Sequence, residues 1–134
     1  MPTMPLIDEA TTNARVRAVF DDIKATKKID RVPDLWRALA NHPEHLELCW
    51  SRLKAIMKPG EVDLLTKEII ALAVSVTNSC RYCVNSHTAA AQKLGLSAEG
   101  LGEVLAVVGL FNQMNKLADG FQIEPDVLPK LDAW

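Results

Sequence analysis

Apolar residues recur at three- and four-residue spacing along most of the chain, and no stretch alternates apolar with polar residues as a half-buried strand would. Between Asn13 and Lys27 the stripe is Val16, Val19, Phe20 and Ile23, which predicts an amphipathic helix. Residues 1–10 carry no such period and read as an irregular lead-in. Val32-Pro33 breaks the pattern, and Pro33 suits the opening of a short helix through Trp36 and Leu39. After Asn41-His42-Pro43 a third stripe begins, with Pro43 in a first turn and Leu46, Leu48, Trp50, Leu53 and Ile56 following.

Lys58-Pro59-Gly60 ends that segment. A fourth helix is predicted from about Val62 to Thr77. Its second half, Ile69 to Val76, is apolar on all sides, so it is expected in the middle of the protein. Asn78-Ser79 interrupts it with residues that cap helices well. A new helix is expected from near Cys80 to Leu94, stopped by Gly95. Ser97 caps another through Glu103, Val104 and Val107. A last segment covers Phe111 to Ala118, before a less regular tail to Trp134. The pattern predicts an all-α fold of six or seven helices, compact and forming one domain over residues 1–134.

Composition narrows the function classes. Of 134 residues 49% are hydrophobic and 24% charged, an ordinary globular balance. A net charge of −2 and 5% aromatics argue against nucleic acid as a partner. No apolar stretch is long enough to span a bilayer, and Met-Pro-Thr-Met-Pro lacks the basic and apolar regions of a secretory signal. The expected location is therefore the cytoplasm, with no membrane association. Three cysteines in a reducing compartment do not suggest a structural disulfide framework. Cys80-Arg81-Tyr82-Cys83 there reads as catalytic, redox-sensing or metal-binding.

The position of this pair gives it chemistry. If Ser79 or Cys80 caps the helix, both sulfurs lie at its first turn, where unpaired N–H groups favour an anion such as a thiolate. His87 lies four residues after Cys83, on the same helix face, with Cβ atoms about 5–6 Å apart. Its imidazole can take the thiol proton directly or through one water. Once one sulfur is oxidised to sulfenic acid, the other can condense with it to a disulfide. Glu68 sits in the most apolar helix on the face of Leu64, Leu65, Leu72 and Val76, where a carboxylate needs a partner. His87 is one candidate, with Glu68 orienting the imidazole; an arginine such as Arg52 is the plainer alternative.

Glu68, eleven intervening residues, Cys80-x-x-Cys83 and then His87 resemble the motif of the AhpD-like alkylhydroperoxidases, which share a fold with carboxymuconolactone decarboxylases. The flanking text is similar to the peroxidase-related branch: Val32 to Leu39 with His42-Pro43, Glu68 to Ser75, and Leu94-Gly95, so that the likeness covers roughly residues 30–115. The resemblance implies an all-α thiol peroxidase or disulfide reductase acting on alkyl hydroperoxides. It implies Cys83 as the peroxide-attacked sulfur, Cys80 as the resolving one, and Glu68 with His87 as the proton relay. It further implies a dithiol or lipoylated protein as reductant and a homo-oligomer, whether dimer, trimer or hexamer. One departure is Tyr82, where some members carry a histidine between the cysteines. On the residues alone the order of attack by the two sulfurs stays open. A carboxymuconolactone-decarboxylase-type lyase and a non-catalytic dithiol redox sensor are the rival readings.

Other residues read more plainly. Cys-x-x-Cys-x-x-x-His offers three ligands where structural zinc takes four, so no metal and no cofactor are expected. Cys49 beside Trp50 is expected to pack. His42 and His45 flank a helix start as capping or solvated groups. Trp36 and Trp50 belong first to a core or an interface, and Arg81 and Tyr82 reach toward the mouth of the site.

Overall fold

The structure, a computed structural model, describes residues 1–133; Trp134 lies outside the described residues, and so does that end of the expected irregular tail. Six α-helices follow one another: α1 (Ala14–Lys27), α2 (Asp34–Leu39), α3 (Pro43–Ile56), α4 (Leu64–Thr77), α5 (Arg81–Lys93) and α6 (Ala98–Gly120), with a 3-10 turn at Leu131–Ala133. There is no strand among the described residues, so the fold is all-α as expected. No described helix is long and apolar enough to cross a membrane. The chain divides into two compact units, residues 1–58 and the residues from Pro59 onward.

The first unit contains α1 to α3. Asn13 caps α1 by accepting from the backbone N–H groups of Arg15 and Val16. Its apolar stripe, Val16, Val19, Phe20 and Ile23, is buried as the spacing predicted. Pro33 stands one residue earlier than expected, as the N-cap of α2 rather than inside its first turn. Pro43 does open α3, and the Nδ1 of His42 accepts the N–H of His45 at 3.1 Å. Val32, Trp36, Leu46 and Trp50 complete the core, with the two indoles edge to face at 5.2 Å between ring centroids. The Trp50 indole N–H donates to Asp22 at 2.7 Å, and Lys54 pairs with the same carboxylate. Together they hold the Asp22 carboxyl below its ordinary range, the Lys54 hydrogen bond acting most strongly. The lead-in carries no helix but is tied down. Ile7 N–H donates to the Arg37 carbonyl, Arg37 Nε donates to the Ile7 carbonyl, and Val32 N–H donates to Glu9.

The second unit contains α4 to α6, with α4 packed against both others. Asp63 caps α4 by accepting from Thr66 N–H at 2.9 Å, which sets the start at Leu64 rather than Val62. Glu68, Leu72 and Ser75 form its buried face. The expectation that its second half is buried all round does not hold. Ile70 and Val74 are more than half exposed, because α5 and α6 cover only part of the helix circumference. α5 ends at a left-handed Gly95, with Gly95 N–H on the Gln92 carbonyl and Leu96 N–H on the Ala91 carbonyl, a Schellman closure. Ser97 caps α6 through Gly100 N–H. The two expected segments after Ser97 are one 23-residue helix. Gly109 at their junction costs only about 1 kcal/mol relative to alanine, less than leaving two new sets of helix-end groups unpaired. Val108 is the buried point of α6. The Asn112 amide donates to Thr77 Oγ1 at 3.0 Å, fastening α6 to the end of α4.

Candidate functional site

The site begins where α4 stops. Ser79 adopts the left-handed conformation at φ 57°, its N–H bonds the Val76 carbonyl, and Cys80 N–H bonds the Ser75 carbonyl at 2.9 Å. This Schellman closure delivers Cys80 directly to the N-cap of α5. Of the two capping residues the sequence offered, Cys80 is the one used, while Ser79 takes the strained position in the turn. Cys80 Sγ accepts the Cys83 N–H at 3.3 Å. The two sulfurs are joined as a disulfide with their Cα atoms 5.3 Å apart. Both therefore sit at the end of α5 where unpaired N–H groups concentrate positive charge.

His87 follows one turn after Cys83. Its Nδ1 lies 2.7 Å from Glu68 Oε2, across from α5 to α4. Glu68 is 9% exposed and His87 is half-buried, so the pair is shielded on the carboxylate side and open on the imidazole side. Of the two partners considered for Glu68, the structure gives it His87. An ionised carboxylate can only accept, so in that state Nδ1 carries the hydrogen and Nε2 is left as the acceptor. Of the four residues singled out in the sequence, Cys80 and Cys83 are joined at the start of α5, and His87, one turn further along α5, is paired with Glu68 of α4. The turn and the N-cap position the sulfurs, and the packing of α4 on α5 positions the Glu68–His87 pair.

The remaining candidates fall elsewhere. Cys49 is a free, half-buried thiol packed against the core of the first unit, its Sγ 3.6 Å from His45 Nε2. Trp36 and Trp50 are core residues of the same unit. Arg81 and Tyr82, between the cysteines, are exposed. No group of three His, Cys, Asp or Glu side chains among the described residues is arranged to hold a metal ion. Sequence reading passed over Ser75, which is buried two turns after Glu68 on the same face of α4 and donates its hydroxyl to the Ala71 carbonyl at 2.6 Å. Its position three residues before the α4 C-cap was the available signal, since its carbonyl receives Cys80 N–H.

Comparison with known proteins agrees with the all-α fold. The model of the carboxymuconolactone decarboxylase family matches residues 43–123. An alkyl hydroperoxide reductase AhpD from Gluconacetobacter diazotrophicus is 36% identical over 69 residues, 52% of this chain and 38% of that protein. An uncharacterized protein of Cupriavidus necator is 38% identical over 55 residues, 41% of this chain and 49% of its own length. The aligned part of this chain thus spans less than half of either relative. A crystal structure of the alkylhydroperoxidase AhpD core from Rhodospirillum rubrum superimposes with a TM-score of 0.90 at 47% identity, covering 94% of this chain and 95% of that one. With the AhpD core fold and a family match over the whole of α3 to α6, the chain belongs to the carboxymuconolactone decarboxylase family.

Proposed function

We propose that the protein is a thiol-dependent peroxidase that reduces alkyl hydroperoxides through Cys80 and Cys83. The observation that carries this reading is the Cys80–Cys83 disulfide at the start of α5, one turn before an imidazole already hydrogen-bonded to a buried carboxylate. A decarboxylase has no use for a pair of sulfurs that close on each other. In the reduced enzyme Nε2 of His87 accepts the proton of Cys83. The thiolate attacks the terminal oxygen of the hydroperoxide, the O–O bond breaks, and the alcohol leaves with the proton from the imidazole. Cys83 is now a sulfenic acid. Cys80 condenses with it, water leaves, and the disulfide forms. An external dithiol, such as a lipoyl group on a partner protein, then takes the disulfide by exchange and is itself oxidised. Glu68 holds the imidazole in the tautomer that the cycle requires. Tyr82 stands exposed between the cysteines, so no second imidazole takes part at that position. The reading includes a reducing compartment such as the cytoplasm and assembly with further copies of the chain.

The test is peroxide consumption with a dithiol reductant in the native protein and in Cys83→Ser and Cys80→Ser variants. Turnover is expected to vanish in both. Cys83→Ser alone should also fail to form a trappable sulfenic acid. Turnover unchanged in Cys83→Ser would reject the assignment, and a lyase activity surviving loss of both cysteines would replace it. A native peroxide rate no faster than that of a free thiol would leave a redox sensor.

A further inference from the structure

Ser75 carries a buried hydroxyl for which the thiol cycle has no use. It is 7% exposed, on the face of α4 that also holds Glu68 and Leu72, where an alanine would form the helix better and bury no polar group. Its hydroxyl donates back along the helix to the Ala71 carbonyl at 2.6 Å. That carbonyl also takes the helical N–H four residues on, so the hydroxyl bond is a spare one, of the kind serine makes inside helices. The fold leaves no group unpaired if this hydroxyl turns to another acceptor.

The register of α4 against α5 says which acceptor lies in front of it. Two contacts fix that register: Cys80 N–H on the Ser75 carbonyl at 2.9 Å, and His87 Nδ1 beside Glu68 Oε2 at 2.7 Å. Seven residues separate the two anchors on each helix, so the helices pass each other in step. Between the anchors α4 presents Leu72 and Ser75. On α5, Cys83 lies one turn before His87 on the same face. Side chains on a helix lean toward its N-terminus, and these helices run in opposite directions. Ser75 therefore leans from the turn toward the level of Cys83, and Cys83 leans back toward the turn. Ser75 is buried and Cys83 half-buried, which limits competition from water.

We propose that Ser75 is a redox-dependent hydrogen-bond donor to Cys83: in the disulfide its hydroxyl rests on the Ala71 carbonyl, and on reduction it rotates to donate to the Cys83 thiolate. The proposal rests on the functional reading for the choice of Cys83 as the charged sulfur. A disulfide sulfur is a weak acceptor, whereas a thiolate carries a full charge, and a hydroxyl bonds an anion more strongly than a neutral carbonyl. No proton changes hands in the exchange. The hydroxyl keeps its hydrogen and changes acceptor, while the proton lost by Cys83 stays on His87. The donor stabilises the dithiol form and not the disulfide, so it makes the pair easier for an external dithiol to reduce.

The experiment equilibrates the full chain, native and with Ser75→Ala or Ser75→Thr, against dihydrolipoic acid, and scores the disulfide fraction by alkylation and mass spectrometry. Urea midpoints of each protein are taken in both redox forms. Ser75→Ala is expected to shift the exchange constant toward the disulfide by about three- to tenfold, tenfold being about 30 mV for this two-electron couple. Ser75→Thr keeps a hydroxyl and is expected to return to within about twofold of native. In Ser75→Ala the gap between oxidised and reduced midpoints should widen, whereas loss of a merely structural serine would move both midpoints alike. An unchanged exchange constant in Ser75→Ala overturns the proposal. So does a shift that Ser75→Thr shares in full, or midpoints that fall equally in the two forms. Peroxide turnover of the native protein tests the functional reading separately: a protein without turnover that still shows the Ser75→Ala shift loses that reading and keeps the donor.

Discussion

The two compact units dispose of their apolar side chains in opposite ways. In residues 1–58 the buried side chains are apolar throughout. Phe20, Ile23, Val32, Leu46 and the two indoles meet in one cluster, and the polar tip of Trp50 is satisfied by Asp22 at its edge. Among the described residues from Pro59 onward only Leu72, Ala91 and Val108 are buried apolar residues, and Glu68 and Ser75 are buried with them. The large apolar residues there face outward instead, along α6 and on one side of α4. The first unit is built like a stability core. The second places a carboxylate where a core residue would normally be, a substitution that stability alone does not favour. The lesson is that the disulfide and the Glu68–His87 pair occupy the part of the molecule with the thinnest apolar interior, and that buried polar pairs there must be complete to be tolerated.

This contrast can be attacked on either side, and the largest effect lies in the second unit. His87→Ala should lower peroxide turnover by about 10²- to 10⁴-fold, and by leaving the buried Glu68 carboxylate without its partner it should also lower stability by about 1–3 kcal/mol. His87→Gln, which can still donate to Glu68, should lose the turnover with a smaller loss of stability; turnover retained in that variant would mean that the pair is structural. Phe20→Ala should destabilise by about 3–5 kcal/mol through a cavity in the first core. Urea unfolding measures it, and a cost under about 1 kcal/mol would dissolve the asymmetry between the units.

A smaller effect concerns pH. The Asp22 carboxyl is held below its ordinary range by Lys54 and Trp50, so between the two values the unfolded chain binds more protons than the folded one. Its stabilisation is therefore present above about pH 4 and is lost as pH falls through the lowered folded value. Asp22 is 43% exposed at its side chain, so solvent screening keeps this contribution modest. Unfolding midpoints at neutral and acid pH should converge for the native protein and Asp22→Asn as the pH drops; midpoints that stay equally far apart would contradict it. The smallest effect is at the junction. Ser79→Gly removes a left-handed serine from the α4–α5 turn, and stability should rise by less than about 1 kcal/mol, because glycine brings its own unfolded-state entropy. A loss of stability would show that the serine side chain, rather than the backbone, is what the turn needs.

Much of this was legible before any coordinates. The stripe from Val16 to Ile23, the proline at the start of α3 and the glycine after α5 are local signals, and each lies where its chemistry put it. The spacing from Cys83 to His87 is equally local. Three things were not local. The division of labour at Ser79 and Cys80 depends on how α4 closes, and both residue types cap well enough in isolation. The continuity of α6 through Gly109 depends on the energy of helix ends that never form. The anchoring of residues 5–9 runs through single backbone and side-chain hydrogen bonds, such as Val32 N–H to Glu9, which leave no period to read. The exposure of Ile70 and Val74 was misjudged for a related reason: an all-apolar helix shows that something covers it, without showing whether the cover is the same chain.

The turn between α4 and α5 has one more implication. Only Asn78, Ser79 and Cys80 separate the two helices, and every one of their backbone N–H groups is already committed to the end of α4. There is no slack to absorb an extra residue. Each residue added or removed would rotate α5 by about 100° about its axis and swing the imidazole away from its carboxylate. The interval from Glu68 to His87 is in effect a gear ratio, tolerant of changed teeth but intolerant of a changed count.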